Sequence, residues 1–221
     1  NVALGTDAMY ATTTSSRNTA LGHAALDAQT DGSGYNTAVG NNALTANTSG
    51  TTNTAVGANA GDALTTGSNN TSLGYEADST AVDASNEFTL GNASVSALRC
   101  ADTSIAALSD RRDKKDIIDS SYGLEFINKI RPVQFTWDRR NLVEGDLESI
   151  HNGKTRIGFI SQELQEAMED DSNEILDLVY EENPERLEAK QGKLIPILTK
   201  AIQELSAKVE ELETKLNKQG E

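Results

Sequence analysis

A five-residue phrase recurs along the first half of this chain at almost constant spacing. It reads Asn1-Val2-Ala3-Leu4-Gly5, Asn18-Thr19-Ala20-Leu21-Gly22, Asn36-Thr37-Ala38-Val39-Gly40 and Asn53-Thr54-Ala55-Val56-Gly57. Asn70-Thr71-Ser72-Leu73-Gly74 and Glu87-Phe88-Thr89-Leu90-Gly91 follow. The glycines stand at 5, 22, 40, 57, 74 and 91, so every step is 17 residues except one of 18. A fixed period means stacked units, each covering the apolar face of its neighbour. In most units an aliphatic residue precedes the glycine and a small residue precedes the aliphatic, which predicts a short strand ending in a tight turn. Asn and Gly supply the left-handed conformations of such turns. Ala25-Leu26, Ala43-Leu44 and Ala63-Leu64 predict a second short strand or turn per unit.

Each predicted strand offers only one or two apolar side chains. A single chain of these units is therefore expected to have a thin core. Small side chains let backbones approach closely, so the reading is an intertwined homo-oligomer whose neighbouring chains fill the interior. A disordered Gly-rich coil needs no register and fits less well.

Composition then divides the chain. Residues 1–108 hold nine acidic residues, two Arg (Arg17 and Arg99) and no Lys, while residues 109–221 hold 17 basic and 25 acidic residues, all three Pro and the one Trp. The total is −15 over 221 residues. So acidic a chain is unsuited to gripping a phosphate backbone. One Cys excludes an intrachain disulfide framework and a multi-Cys zinc site. No run approaches the 18 or so apolar residues that span a bilayer. Asn1 follows no basic-then-apolar leader, and the missing Met suggests a piece of something longer.

Near the end, Ile195, Ile202, Val209 and Leu216 are spaced by seven, and Leu198, Leu205 and Leu212 follow the first three by three. That is an a/d seam with polar b, c and f positions, the pattern of a coiled coil. Pro196 is tolerated in a first helical turn, so the helix is expected to start near it. Lys208 at g can face Glu213 at e of a neighbouring helix. β-branched a with Leu d leans towards dimers, so a trimer must be imposed by the rest of the chain. Between Gly123 and Tyr180 the pattern is mixed. A short helix is expected over Gly123–Ile130 and a strand over Val133–Trp137. A loop follows over Asn141–Gly153, then a strand over Arg156–Ile160 and a helix over Gln162–Met168. A strand over Ile175–Tyr180 comes last, with Asn183-Pro184 turning the chain after it.

Several residues are of types that carry chemistry. Cys100 with His23 or His151 suggests a thiol hydrolase, but a lone Cys more often serves as a small buried apolar residue; His23 is expected to be exposed in a repeat loop. Glu169-Asp170-Asp171 lacks the glycine and spacing of a calcium loop and reads as a solvated turn. No glycine-rich loop ends in Gly-Lys-Ser/Thr, so no nucleotide site is supported. Trp137, Phe135 and Val133 read as core-facing strand residues. The stretch Leu108-Ser109-Asp110-Arg111-Arg112-Asp113-Lys114-Lys115-Asp116-Ile117 is, by itself, a charged linker.

Two resemblances add to this reading. The repeats over residues 1–95 resemble the left-handed β-roll heads of trimeric autotransporter adhesins and similar repeats in phage tail fibres, which implies a trimeric shaft or head. Residues 109–221 resemble the intramolecular chaperone auto-processing domain of phage tailspikes and fibres, peptidase family S74. The matching residues are Ser109-Asp110-x-Arg112-x-Lys114, then Ile127-x-x-Ile130-Arg131-Pro132-Val133-x-Phe135-x-Trp137. Arg156-x-Gly158-Phe159-Ile160-x-Gln162-Glu163-Leu164 follows, with Ser161 in place of the usual Ala, and then Leu194–Leu216 with Ala201-Ile202-Gln203-Glu204-Leu205.

The resemblance implies a domain that trimerises, registers three chains and nucleates the fibre upstream. It then cuts between Leu108 and Ser109, with Ser109 as nucleophile, Lys114 as base, and Asp110 and Arg112 as motif support. A Ser hydroxyl needs a base, and a Lys serves only when desolvation or nearby positive charge lowers its affinity for the proton. Arg111, Arg112 and Lys115 favour this; Asp110 and Asp113 oppose it. Attack by Ser109 on the bond before it suggests an N-to-O acyl shift, within one chain or between chains. Gly158 and Gln162 read as structural more readily than as oxyanion stabilisers.

The expected architecture is thus a β repeat (an intertwined trimeric β-roll or β-helix) over 1–108. A small α+β chaperone domain over 109–193 and a C-terminal trimeric coiled-coil helix over 194–221 follow it. The expected partners are two further copies, the chain's own upstream segment and a host-surface receptor, with no nucleic acid, membrane insertion, metal or cofactor. The expected location is a phage virion, with the chaperone released in the host cytoplasm. The competing reading is a non-enzymatic trimeric fibre tip that binds the host surface. A cellular surface adhesin, the third, lacks a membrane anchor in this segment.

Overall fold

The computed structural model describes residues 1–30, 34–95, 97–101, 106–136, 155–185 and 187–219, without the side chains of 169–173. They form two units, Asn1–Arg99 and Cys100–Glu221.

The first unit is a β-solenoid. Its strands β1 (Val2–Leu4), β2 (Thr19–Leu21), β3 (Thr37–Val39), β4 (Thr54–Val56), β5 (Thr71–Leu73) and β6 (Phe88–Leu90) form one parallel sheet in sequence order. The register is the repeat itself: Ala3 faces Ala20, Ala20 faces Ala38, and Ala38 faces Ala55. Beside the one 18-residue step, Gly34 N–H donates to Ser16 O and Arg17 donates to the Tyr35 hydroxyl, each across 18 residues.

The interior that the sequence reading gave to neighbouring chains is filled by this chain. The middle residues of β2 to β5 point inward, with Ala20, Ala38 and Ala55 fully buried and Ser72 nearly so, while Ala3 in the first strand is exposed. Leu26, Leu44 and Leu64 fill the opposite side and are almost fully buried, each worth about 1.5–3 kcal/mol by transfer from water.

The second apolar positions lie in turns, not strands. Leu26 and Leu44 adopt left-handed φ values of 53° and 52°, so buried leucines, not only Asn and Gly, make these corners. Ala63-Leu64 departs from the expected register. Leu44 N–H donates to Ala60 O, and Gly61 N–H to Ala77 O, so Ala60-Gly61 stands where Ala43-Leu44 stood. A Cβ at Gly61 would lie 2.9 Å from Leu44 Cδ2, and Leu64 enters the interior three residues later.

A buried asparagine ladder joins the coils. Asn1 Oδ1 accepts Asn18 N–H, Asn18 Oδ1 accepts Asn36 N–H, Asn36 Oδ1 accepts Asn53 N–H, and Asn53 Oδ1 accepts Asn70 N–H, at 2.8–2.9 Å. Asn70 Oδ1 accepts Glu87 N–H at 2.9 Å, and the Glu87 carboxylate turns to Thr80 N–H at 2.8 Å. Buried polar groups in native folds find partners; here each Oδ1 finds its partner in the next coil, while Nδ2 of Asn36, Asn53 and Asn70 donates to the Gly50, Gly67 and Ala84 carbonyls of its own coil.

The second unit is small and mixed. Helix α1 (Leu124–Ile127) packs on the long terminal helix α3 (Leu194–Gln219). Between them come β7 (Val133–Phe135) paired antiparallel with β8 (Arg156–Gly158), then helix α2 (Ser161–Leu176). β9 (Val179–Tyr180) pairs antiparallel with β10 (Glu188–Ala189). Phe126, Leu164, Met168, Leu176, Leu178, Val179, Leu194 and Ile197 make the core. Gly158 lies under Phe135, where a Cβ would meet the ring at 3.2 Å.

The strand expected over Ile175–Tyr180 is shorter, because α2 runs on to Leu176 and left-handed Asp177 turns the chain. Strand β10 was not foreseen; two residues carry too little period to read. Glu169-Asp170-Asp171 belongs to α2, not to a turn. Trp137 and the Asn141–Gly153 loop lie outside the described residues.

α3 begins at Leu194, as Pro196 predicted. Leu194, Ile197 and Ala201 are buried against the unit's core, whereas Ile195, Leu198, Ile202, Leu205, Val209, Leu212 and Leu216 are 43–70% exposed. The intrachain contact therefore uses a different stripe of α3 from the heptad seam.

Candidate active site at the Ser109 junction

The junction is built by one short turn. Arg111–Asp113 form a single 3-10 turn, whose N-cap Asp110 accepts Arg112 N–H at 2.9 Å. Lys114 closes it by donating its N–H to Arg111 O at 3.2 Å. One such turn reverses the chain enough to bring residues five apart side by side. Lys114 Nζ stands 2.6 Å from Ser109 Oγ. The preceding Leu108 is fully exposed.

Asp110 and Arg112 serve each other. The Arg112 guanidinium bonds both Asp110 oxygens, with Nη2 at 2.6 Å and Nε at 3.1 Å from each. This pair, with the Arg112 N–H, holds the Asp110 carboxyl below the usual carboxylate range and raises Arg112 further. Of the three cations that the sequence placed around Lys114, Arg112 is thus neutralised locally. Arg111 and Lys115 make no ion pair among the described residues. From Arg111 to Ser121 every residue is exposed, Ile117 and Ile118 included.

The geometry can support proton transfer. A neutral amine at this distance from a hydroxyl can accept its proton. Gly158 and Gln162 make no hydrogen bond to Ser109 among the described residues. Gly158 instead pairs with Val133 in the β7–β8 ladder.

The other candidates stay apart from this chemistry. Cys100 is exposed, contrary to the buried role expected of it, because it belongs to neither hydrophobic core. His23 is exposed in its coil, as expected, with Nδ1 3.3 Å from Asn41 Nδ2. His151 lies outside the described residues. No group of three or more metal-ligating side chains occurs among the described residues, and no described helix is long and apolar enough to cross a membrane.

Glu204 carries no local sequence signal, because its partner is the backbone of Leu124, 80 residues away.

Residues 109–172 match the family model Peptidase_S74, the chaperone of endosialidase. The match begins at the serine that Lys114 touches. No curated protein and no solved structure matches the chain.

Proposed function

We propose that residues 109–221 are an intramolecular chaperone which trimerises the chain, sets the upstream solenoid in register and then releases itself by cutting between Leu108 and Ser109. The observation that carries this reading is the 2.6 Å approach of Lys114 Nζ to Ser109 Oγ directly after an exposed Leu108. The chaperone-of-endosialidase match over 109–172 supports the folding role.

Ser109 Oγ attacks the Leu108 carbonyl carbon while Lys114 takes its proton. The C–N bond breaks as that proton reaches the Ser109 nitrogen, leaving the Leu108 acyl group as an ester on Ser109 Oγ. Water then attacks the ester. Leu108 departs as a carboxylate, and Ser109 regains its hydroxyl. Lys114 must be neutral when it accepts the proton, and burial in an assembly favours the neutral amine. Assembly therefore acts as a checkpoint: the bond is cut once the copies cover the junction.

Two exposed apolar surfaces support self-association. One is the seam from Ile195 to Leu216 on α3. The other is the outward column Leu4, Leu21, Val39, Val56, Leu73 and Leu90, aligned residue on residue across the sheet, with Val39 and Leu73 half-buried and the rest exposed. Contiguous apolar surface of this kind marks an interaction site. The biological setting proposed is the tail fibre of a phage.

The experiment is intact-mass analysis of the wild type beside Ser109→Ala, with assembly size measured on both. A 109–221 fragment that vanishes in Ser109→Ala supports the proposal. A wild-type chain that stays whole after assembly sinks it and favours a non-enzymatic attachment fibre.

A further inference from the structure

Helix α3 presents Glu204 towards α1, and its Oε2 accepts the backbone N–H of Leu124 at 2.8 Å. The N-cap position before α1 is Gly123, which offers no side-chain cap of its own. The first N–H groups of a helix lack intrahelical partners, and a carboxylate there satisfies them and the helix dipole together. Glu204 supplies that carboxylate from across the unit. Gly123 makes room for it, since a Cβ there would lie 2.6 Å from Glu204 Oε2.

Two further relationships give this cap its meaning. Ile202 and Leu205, on either side of Glu204 in sequence, belong to the exposed seam. α1 is the first packed element after the junction, because residues 111–121 are exposed throughout and Phe126 is the first large buried side chain beyond them. The arm that carries Ser109 and Lys114 is thus tethered at the point that Glu204 grips.

We propose that Glu204 is a positioning residue for the Ser109 junction. It locks α1 to the helix that brings the copies together, so that ordering of the seam fixes the downstream end of the reactive arm. This inference rests on the cleavage proposed above. Small misplacements of reacting groups cost large factors in rate, so the loss expected on removing the grip is roughly tenfold or more.

The test follows release of the 109–221 fragment from full-length Glu204→Ala, Glu204→Gln and Gly123→Ala, with assembly size measured in parallel. Amide exchange at Leu124 is read in the same variants on a Ser109→Ala background, where the chain stays whole. Glu204→Ala is expected to slow release and expose the Leu124 amide while assembly is unchanged. Glu204→Gln, which keeps an acceptor oxygen, restores both. Gly123→Ala reproduces the loss by displacing the carboxylate. Glu163→Ala, which removes the Arg131 pair elsewhere in the unit, leaves the release rate alone.

If Glu204→Ala releases at the wild-type rate, or if Glu163→Ala slows release equally, the positioning role is wrong while self-cleavage stands. A protected Leu124 amide in Glu204→Ala also overturns it. An uncleaved wild type removes the proposed cleavage and this role with it.

Discussion

Asn53 Oδ1 accepts the backbone N–H of Asn70 at 2.9 Å, while Asn53 Nδ2 donates to Gly67 O at 2.8 Å, so one side chain links its own coil to the next from inside. Asn53→Ala strands a buried donor and a buried acceptor. The expected cost is about 2–6 kcal/mol, from two buried groups at about 1–3 kcal/mol each. Thermal unfolding of the full chain measures it. An unchanged midpoint would mean that the ladder is ornamental.

The glycine at each strand end is set by close approach. Gly40 has φ +140°, and a Cβ there would lie 2.2 Å from Gly57 O. Gly40→Ala is expected to destabilise by about 2–4 kcal/mol, combining backbone strain with the clash. Gly192→Ala is the control, with nothing within 4 Å of its Cβ position, and should stay within about 0.5 kcal/mol. Equal effects in chemical denaturation would refute the contrast.

Asp62 and Asp78 meet between adjacent coils, near Glu76. Burial, then the Asp62 charge, pushes the Asp78 carboxyl up to about 6, and burial also raises Asp62. A raised carboxyl means that the folded state holds more protons than the unfolded chain between about pH 4 and pH 6. Stability contributed there is complete below the ordinary carboxylate value and is lost as pH rises through about 6. After discounting for partial exposure, the loss is about 1–2 kcal/mol. Melting at pH 4.5 and 7.5 should show it, and Asp78→Asn should flatten the difference. A variant as pH-sensitive as the wild type would place the effect elsewhere.

The two stripes of α3 should separate assembly from folding. Leu205→Asp lies on the exposed seam, so light scattering should show smaller assemblies while circular dichroism of the second unit is kept. Ile197 is only 5% exposed in the core, and Ile197→Ala should cost about 2–4 kcal/mol. If Leu205→Asp leaves assembly size unchanged, the seam does not join copies.

Lys114→Arg keeps the positive charge but removes a usable base, because a guanidinium does not give up its proton in proteins. Release of the 109–221 fragment should fall as far as in Lys114→Ala. Cleavage at the normal rate in Lys114→Arg would show that the group at 114 acts only by charge or position.

Some of this could be read directly from residues. The glycine spacing predicted stacked units with a short strand and a turn in each, because a fixed period stacks equivalent positions, and the seven-residue spacing in 195–216 predicted a helix with an apolar seam for the same kind of reason. Leu64 is legible as an apolar position, but its shifted register is not, because that depends on the room left by Gly61. The extent of α2 past Met168 was missed because its acidic middle, Glu169-Asp170-Asp171, resembles a turn in composition. Ser109 and Lys114 were legible only through their motif. Five-residue spacing brings two side chains together just when a turn forms between them, and the Asp110 cap makes that turn.

By itself the sequence determined the local periods: where coils repeat, where small residues must stand, and where a helix carries an apolar seam. Those follow from steric limits and from burial along one short stretch of chain. The tertiary structure decided which groups meet across long separations: Asn53 with the neighbouring coils, Asp62 with Asp78, and Glu204 with Leu124. Such contacts have no period, since they depend on how whole elements pack, and only the folded chain brings their atoms within bonding distance.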